Sequence, residues 1–249
     1  MNPDLHIAHL GVRRRPIRDL VAANRGVALL EFAFSMPLVM ALGLYAVETS
    51  NLAMMNLRVN QTALNLADNA ARVGLHNADN REELREIDLN DVLAGARLQG
   101  TGWDLTKRGR ITLSSLEEHD GDQLIHWQRC LGLKSGVDYD SHYGRTKPTD
   151  GLRDHDGTKA KDYTDGVDLK KIGMGPPGDE IRAPKDSGVM FVEINYLYRP
   201  LVSARWLPAA ALRIHYTASF IVRDRRIFEK IYNPGPAASP MTCDKYTEA

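Results

Sequence analysis

The chain has 249 residues, an apolar fraction of 43%, and 32 basic side chains balanced by 32 acidic ones. This length supports one core of moderate size, and the composition excludes a wholly disordered protein and a protein with many membrane spans. Residues 1–26 hold five arginines and two aspartates, so this leader carries a net +3 and the remainder −3. Because nucleic-acid binding requires a basic surface, we expect no nucleic-acid partner.

An apolar run follows the basic leader. Residues 27–47 contain one charged side chain, Glu31, and as a helix they would span about 30 Å, the thickness of a hydrocarbon core. A cleaved secretory signal or a buried soluble helix would give a similar pattern, but the run exceeds a usual signal core and lacks a clean small-residue cleavage motif.

The charge on the leader sets the predicted topology. Positive flanks remain cytoplasmic, so we predict a cytoplasmic leader (residues 1–26), a helix that crosses the lipid bilayer (residues 27–50) and an outer domain (residues 51–249). In a bacterium this arrangement is a single-pass inner-membrane protein with a periplasmic C-terminal domain.

The helical pattern continues beyond the membrane segment. Apolar residues recur at spacings of three and four, as in an amphipathic helix: Leu52, Met55, Val59, Ala63, Leu66, Ala70 and Val73. We predict one helix from Val27 to about Gly74, whose second half packs against a soluble domain. A secretory signal would not continue into such a stripe.

The residues around Glu31 resemble the processing site of type IV-like prepilins. Gly26 is followed by four apolar residues, Glu31 and Phe32, and cleavage after the glycine would make Val27 the first mature residue. With Pro37 included, the stretch also resembles the TadE-like family, the minor pseudopilins of tight-adherence (Flp) pilus systems. Cleavage would expose an α-amine that the Glu31 of a neighbouring subunit could pair with, and pairing lowers the cost of burying either charge.

Two segments near the C-terminus also resemble the TadE-like family, and this resemblance implies a function. Residues 189–202 and 212–223 are similar to the tyrosine-rich and closing strands of the same family. The resemblance implies a role in assembling or priming a pilus, with Glu31 and Pro37 as assembly residues. It implies other pseudopilins and pilin subunits, a prepilin peptidase and the inner-membrane pilus platform as partners. The alternative is an unprocessed, signal-anchored periplasmic protein that acts as a binding or adaptor module.

The outer domain begins with a second predicted helix, after Gly74. Asp79 or Asn80 would cap it at the N-terminus. Its apolar side would consist of Leu84, Ile87, Val92 and Leu98.

Beyond Gly102 the period changes from helical to strand-like. Residues 110–117 and 122–130 are predicted to form two strands around the turn at Asp120 and Gly121, and residues 189–199 and 212–223 form two more. The last of these alternates apolar and polar side chains, which indicates a sheet with one buried and one solvated face. The fold class is therefore α+β: a long N-terminal helix on a pilin-like domain with an antiparallel sheet of about four strands.

A long polar segment, residues 131–187, interrupts the strands. It holds ten aspartates and seven lysines, and a structureless loop of this length is expected to be functional or partly disordered. Cys130 precedes it and Cys243 lies in the C-terminal tail. In an oxidising compartment these two cysteines would form a disulfide, whereas in the cytosol they would be unrelated buried thiols. Because the predicted topology places both in the periplasm, we predict the disulfide.

The sequence contains no clear catalytic or cofactor motif. The segment gathers Asp138, Asp140, His142, Asp154, His155 and Asp156. Calcium-loop spacing and a terminal bidentate glutamate are absent, so a solvated acidic loop is favoured over a calcium site. No cysteine or histidine pairs fall at zinc-ligand spacing, and His119 and His126 are expected to be surface or satisfied histidines. We predict no metal, no cofactor and no enzymatic activity.

Overall fold

The computed structural model describes residues 26–78, 80–149, 167–185, 187–224 and 226–248. It divides into two compact units, Met1–Glu48 and Thr49–Ala249. Helix α1, Val27–Arg72, is a continuous helix of 46 residues that crosses this division. The predicted helix from Val27 is therefore confirmed, and it ends two residues before Gly74.

The α1 residues that belong to the first unit expose their apolar side chains. Leu29 is 76% exposed and Phe34 is 72% exposed, and none of the most apolar stretch of the helix is buried. By length and composition this helix can cross a membrane.

The α1 residues that belong to the second unit form part of its core. The predicted stripe is confirmed, because five of its members are buried: Met55, Val59, Ala63, Leu66 and Ala70. Arg226, from a distant part of the chain, caps the C-terminal end of α1. Its guanidinium donates to the carbonyls of Ala70 (3.0 Å), Ala71 (3.1 Å) and Val73 (2.7 Å), which are among the carbonyls a helix end leaves without partners.

The remaining elements of the second unit follow in chain order. They are β1 Leu75–His76, β2 Glu82–Arg85, α2 Glu86–Gly100, α3 Leu105–Arg108, β3 Gly109–His119, β4 Asp122–Leu131, β5 Val167–Asp168, β6 Gly188–Leu197, β7 Arg213–Ile221 and β8 Arg226–Tyr232. Strands β5-β4-β3-β6-β7 form an antiparallel sheet, and β1-β2-β8 form a small second sheet in which β2 and β8 are parallel.

The α+β class and the antiparallel sheet are confirmed. The four predicted strands are β3, β4, β6 and β7, and β3 and β4 meet at the predicted turn, where Asp120 and Gly121 both have positive φ. The sheet has five strands rather than about four, because the two-residue strand β5 pairs with Leu124 and Ile125 of β4.

The predicted start of the second helix is wrong. Residues 82–85 form strand β2, and the helix begins at Glu86, where the Asp88 carboxylate accepts the Arg85 backbone N–H at 3.2 Å. Asn80 lies in a turn with φ of 55°, and Asp79 lies outside the described residues. Helix propensity in this segment is overridden because β2 pairs with β1 and β8.

The predicted apolar side of that helix is only partly right, because Leu84 is buried and Val92 packs against the core but the other two residues are exposed. Ile87 is 48% exposed and Leu98 is 71% exposed, whereas Leu89 and Leu93 are fully buried. Leu84 belongs to β2 and not to the helix. The buried side of the helix is therefore set by residues after Glu86, such as Leu89 and Leu93.

Strands β3, β4 and β6 are buried on both faces, which corrects the prediction of one solvated face for them. Strand β7 keeps the predicted alternation, with Arg213 and His215 exposed and Ile214 and Ala218 buried. One face joins the second-unit part of α1 and helix α2 in the main core. The opposite face of β3, β4 and β6 is covered by the described residues of the polar segment 131–187, where Met174 and Ala183 pack on Leu116, Ile125 and Phe191. Residues 150–166 and 186 of this segment lie outside the described residues.

Candidate functional site

The predicted processing residues lie at the start of α1. Gly26 is exposed and immediately precedes the helix, and its carbonyl accepts the backbone N–H of Leu30 at 3.2 Å. Val27 is the first helical residue, and Glu31 and Phe32 are exposed in the second turn. Glu31 therefore lies about 6 Å of helix rise beyond Val27, on an apolar, exposed part of the helix.

Pro37 lies inside α1 without ending it. Proline has no backbone N–H, so it leaves the carbonyl of Ala33 without its usual helical donor. Such a free carbonyl is tolerated in a membrane helix when a neighbouring helix or a side chain supplies a donor. The arginines of the leader lie outside the described residues.

The predicted disulfide is present. Cys130 and Cys243 are joined, with their Cα atoms 4.8 Å apart. The C-terminal tail follows the end of β4, since Cys130 N–H donates to the Met241 carbonyl (2.7 Å) and Gly132 N–H to the Thr247 carbonyl (2.8 Å).

A buried arginine also holds this tail. Arg110 donates to the carbonyls of Lys245 and Cys243, each at 2.7 Å, and its guanidinium lies 4.3 Å from the centre of the Tyr246 ring. Desolvation lowers the pKa of Arg110, and nearby Tyr246 and Asp140 act in the opposite direction.

The acidic residues considered as calcium ligands are engaged with protein cations. Asp140 pairs with Arg145 at 2.5 Å, and Asp138 pairs with Arg213 at 2.6 Å. Asp154, His155 and Asp156 lie outside the described residues. The Asp140–Arg145 pair lies within the polar segment, whereas the Asp138–Arg213 pair attaches the segment to β7.

The structure instead brings together His142, Glu193 and His215. One potential ligand atom from each residue lies within 4.8 Å of the others. Glu193 is on β6 and 1% exposed, His215 is on β7, and His142 belongs to the polar segment that covers this face. The His142 ring nitrogen Nδ1 lies 2.5 Å from Glu193 Oε1, and the His142 backbone N–H also donates to that carboxylate at 3.1 Å.

The sheet register positions the other histidine. His215 is directly opposite Asn195 of β6, and Glu193 is opposite Thr217, so His215 is the diagonal neighbour of Glu193 on the same face. The His215 Nδ1 atom lies 2.6 Å from Asn195 Oδ1, and Asn195 Nδ2 donates to the Tyr139 carbonyl at 2.9 Å. The bond to Tyr139 fixes which end of the amide faces His215.

These contacts determine the protonated nitrogen of each ring. A carboxylate and an amide oxygen only accept hydrogen bonds, so both histidines carry their proton on Nδ1. Both Nε2 atoms then keep a free lone pair. Desolvation lowers the pKa of His215, Glu193 raises it and His142 lowers it, with a net decrease. The neutral ring, which binds metals, is therefore favoured.

Sequence reasoning missed this cluster because its members come from three segments that are distant along the chain. The available signals were the alternation that places His215 on the polar side of its strand and Glu193 as the single charged residue of its mostly apolar strand. The two hairpin histidines match the expectation: His119 is near Asp120 (3.5 Å), and His126 is buried with its Nδ1 3.2 Å from the Glu117 carboxylate.

Comparisons of this chain with protein-family models, with curated proteins and with solved structures give no match.

Proposed function

We propose that this chain is a single-pass inner-membrane protein that is cleaved after Gly26 and acts as a TadE-like minor pseudopilin, assembling or priming a tight-adherence pilus. Its role is structural rather than enzymatic. Its partners are other pseudopilins and pilin subunits, the prepilin peptidase and the inner-membrane platform.

The observation that carries the proposal is the position of Glu31 in α1. An ionised side chain at the centre of a membrane helix costs about 2.5–3.5 kcal/mol, and this range is an upper bound for Glu31, which is exposed in the second turn of the apolar part of the helix. The α-amine that cleavage creates at Val27 has the opposite charge. In an assembly of staggered subunits, this amine can pair with Glu31 of a neighbouring subunit. The pairing lowers the free-energy cost of burying either charge.

The disulfide supports the proposed topology. Disulfides persist in oxidising compartments such as the periplasm, and the Cys130–Cys243 bond lies in the unit that the topology places there. The basic leader, with its net charge of +3, favours the cytoplasmic side for residues 1–26.

The first experiment determines the N-terminal residue of the protein extracted from membranes, with and without an active prepilin peptidase. A start at Val27 that requires the peptidase is expected. The Gly26→Val variant should remain uncleaved, while the matched control Gly43→Val, in the same helix and with no atom near its Cβ position, should be cleaved normally. A start at Met1 in both strains would refute processing and favour the signal-anchored binding module.

The second experiment tests Glu31 itself. Glu31→Gln removes the charge at nearly constant size, so we expect normal protein amounts and cleavage but loss of co-purification with pseudopilin partners. Ser35→Ala, one turn further along α1, is the control and should co-purify normally. Unimpaired pilus formation in the Glu31→Gln strain would show that pairing is not the role of this residue.

A further inference from the structure

We propose that His142, Glu193 and His215 form a binding site for one divalent transition-metal cation of the Zn²⁺ class. This inference concerns the outer domain and holds whether or not Gly26 is a processing site.

The donor set matches the chemistry of such cations. Two imidazole nitrogens and one carboxylate oxygen are ligands that Zn²⁺ commonly takes, and the remaining coordination position is filled by water or by a group from another molecule. Ca²⁺ and Mg²⁺ prefer sites made of oxygen atoms, so two histidines disfavour both. The ligand atoms lie within 4.8 Å of one another, whereas tetrahedral zinc ligands are about 3.3 Å apart. His142 Nδ1 and Glu193 Oε1 are 2.5 Å apart, so a cation bound by both would move these two atoms apart by roughly an ångström and draw His215 closer to them.

The surroundings orient the ligands. Metal-binding histidines usually donate their second ring N–H to an oxygen acceptor, which fixes the tautomer and the ring direction. His215 makes this bond to Asn195, which is itself held by the Tyr139 carbonyl. His215 offers its Nε2 atom, whose lone pair is free. His142 faces Glu193 with Nδ1, so a cation bound between them takes the place of the Nδ1 proton, which moves to Nε2.

The charge balance also favours a cation. The Glu193 side chain is 1% exposed, and within the described part of the chain its recorded ion-pair partner is His142. A buried carboxylate is costly without a compensating positive charge. A bound cation supplies it permanently. The His142 side chain, 42% exposed, leaves the site open to solvent for entry.

The structural consequence is attachment of the polar segment to the sheet. His142 belongs to the segment that covers this sheet face, whereas Glu193 and His215 belong to adjacent central and edge strands. One cation bound by all three would join the segment to β6 and β7 at a single point. Binding of a cation to the folded state alone would stabilise that state by mass action.

The test uses the full-length chain in detergent micelles, purified without a histidine tag and treated with EDTA before exchange into metal-free buffer. Titration calorimetry with Zn²⁺ should show one site per chain. His142→Gln and His215→Gln should each weaken binding by at least about tenfold, the smallest loss expected even for an outer partner of a metal ligand. His119→Gln, at the hairpin end, is the matched control and should bind like the wild type.

Two further measurements keep the result independent of folding. Glu193→Gln keeps an acceptor for the His142 backbone N–H but removes the charge, so it should retain the circular dichroism spectrum and weaken Zn²⁺ binding. X-ray absorption of the Zn²⁺-loaded wild type should show imidazole scattering from two histidines. Wild-type affinity in both histidine variants, equal loss in the His119→Gln control, or a zinc shell without imidazole would each overturn the proposal.

Discussion

Loss of the disulfide should destabilise the outer domain through the unfolded state. The bond joins cysteines 113 residues apart, and the chain-entropy relation for a loop of this length gives about 4.8 kcal/mol at 25 °C. The native tail keeps other attachments, because Arg110 holds the carbonyls of Cys243 and Lys245. We therefore expect Cys130→Ala/Cys243→Ala to fold with the tail in place and to lose roughly 3–5 kcal/mol of unfolding free energy.

The assay is urea unfolding in detergent micelles, followed by tryptophan fluorescence; of the three tryptophans, Trp127 is buried in the core. The variant should show a lower midpoint and a steeper urea dependence, since its unfolded state is more expanded. Wild-type protein reduced with dithiothreitol is the control and should unfold like the variant. A loss below about 1 kcal/mol with an unchanged slope would refute the reasoning, because it would mean that the bond does not restrict the unfolded chain.

Three further outcomes follow from other contacts. Glu86→Ala leaves the buried guanidinium of Arg129 without its carboxylate, so urea unfolding should show a loss of about 3–5 kcal/mol, and Glu86→Leu combined with Arg129→Met should recover most of it. The pKa of Glu82 is raised above 4.5, and the largest cause is its hydrogen bond with Asp224. The stability that the protonated form of Glu82 contributes is therefore present below pH 4.5 and is lost as the pH rises through the raised pKa. Glu82→Gln should therefore be more stable than the wild type at neutral pH, and unfolding between pH 4 and about pH 8 should show this difference shrinking toward the acid end. Gly132→Ala should lower the melting temperature, because this residue has φ of 122° and a Cβ atom there would collide with a backbone oxygen of β3. Left-handed strain alone costs about 1–3 kcal/mol. A variant that melts at the wild-type temperature would contradict this backbone conformation of Gly132.

The sequence by itself determined the features that depend on local periodicity. The stripe from Met55 to Ala70 specifies a helix that is buried on one side, and the apolar run before it specifies a helix exposed all round. The Asp120-Gly121 turn specified the β3–β4 hairpin, because these residues tolerate the positive φ that the turn requires. These features were predictable since each depends on neighbours along the chain.

Tertiary structure alone decided features that depend on distant partners. Residues 82–85 became strand β2 because β1 and β8 offered backbone hydrogen bonds that outweighed local helix propensity. The polar segment covers the sheet because side chains of the sheet satisfy its backbone polar groups. Gln128, for example, donates to the Gly144 carbonyl of the segment and to the Ser114 hydroxyl. His142, Glu193 and His215 meet because antiparallel register aligns β6 with β7 and because the cover brings His142 over them. Periodicity carries information about which face a residue occupies, but the proximity of residues from separate segments is fixed only when those segments pack.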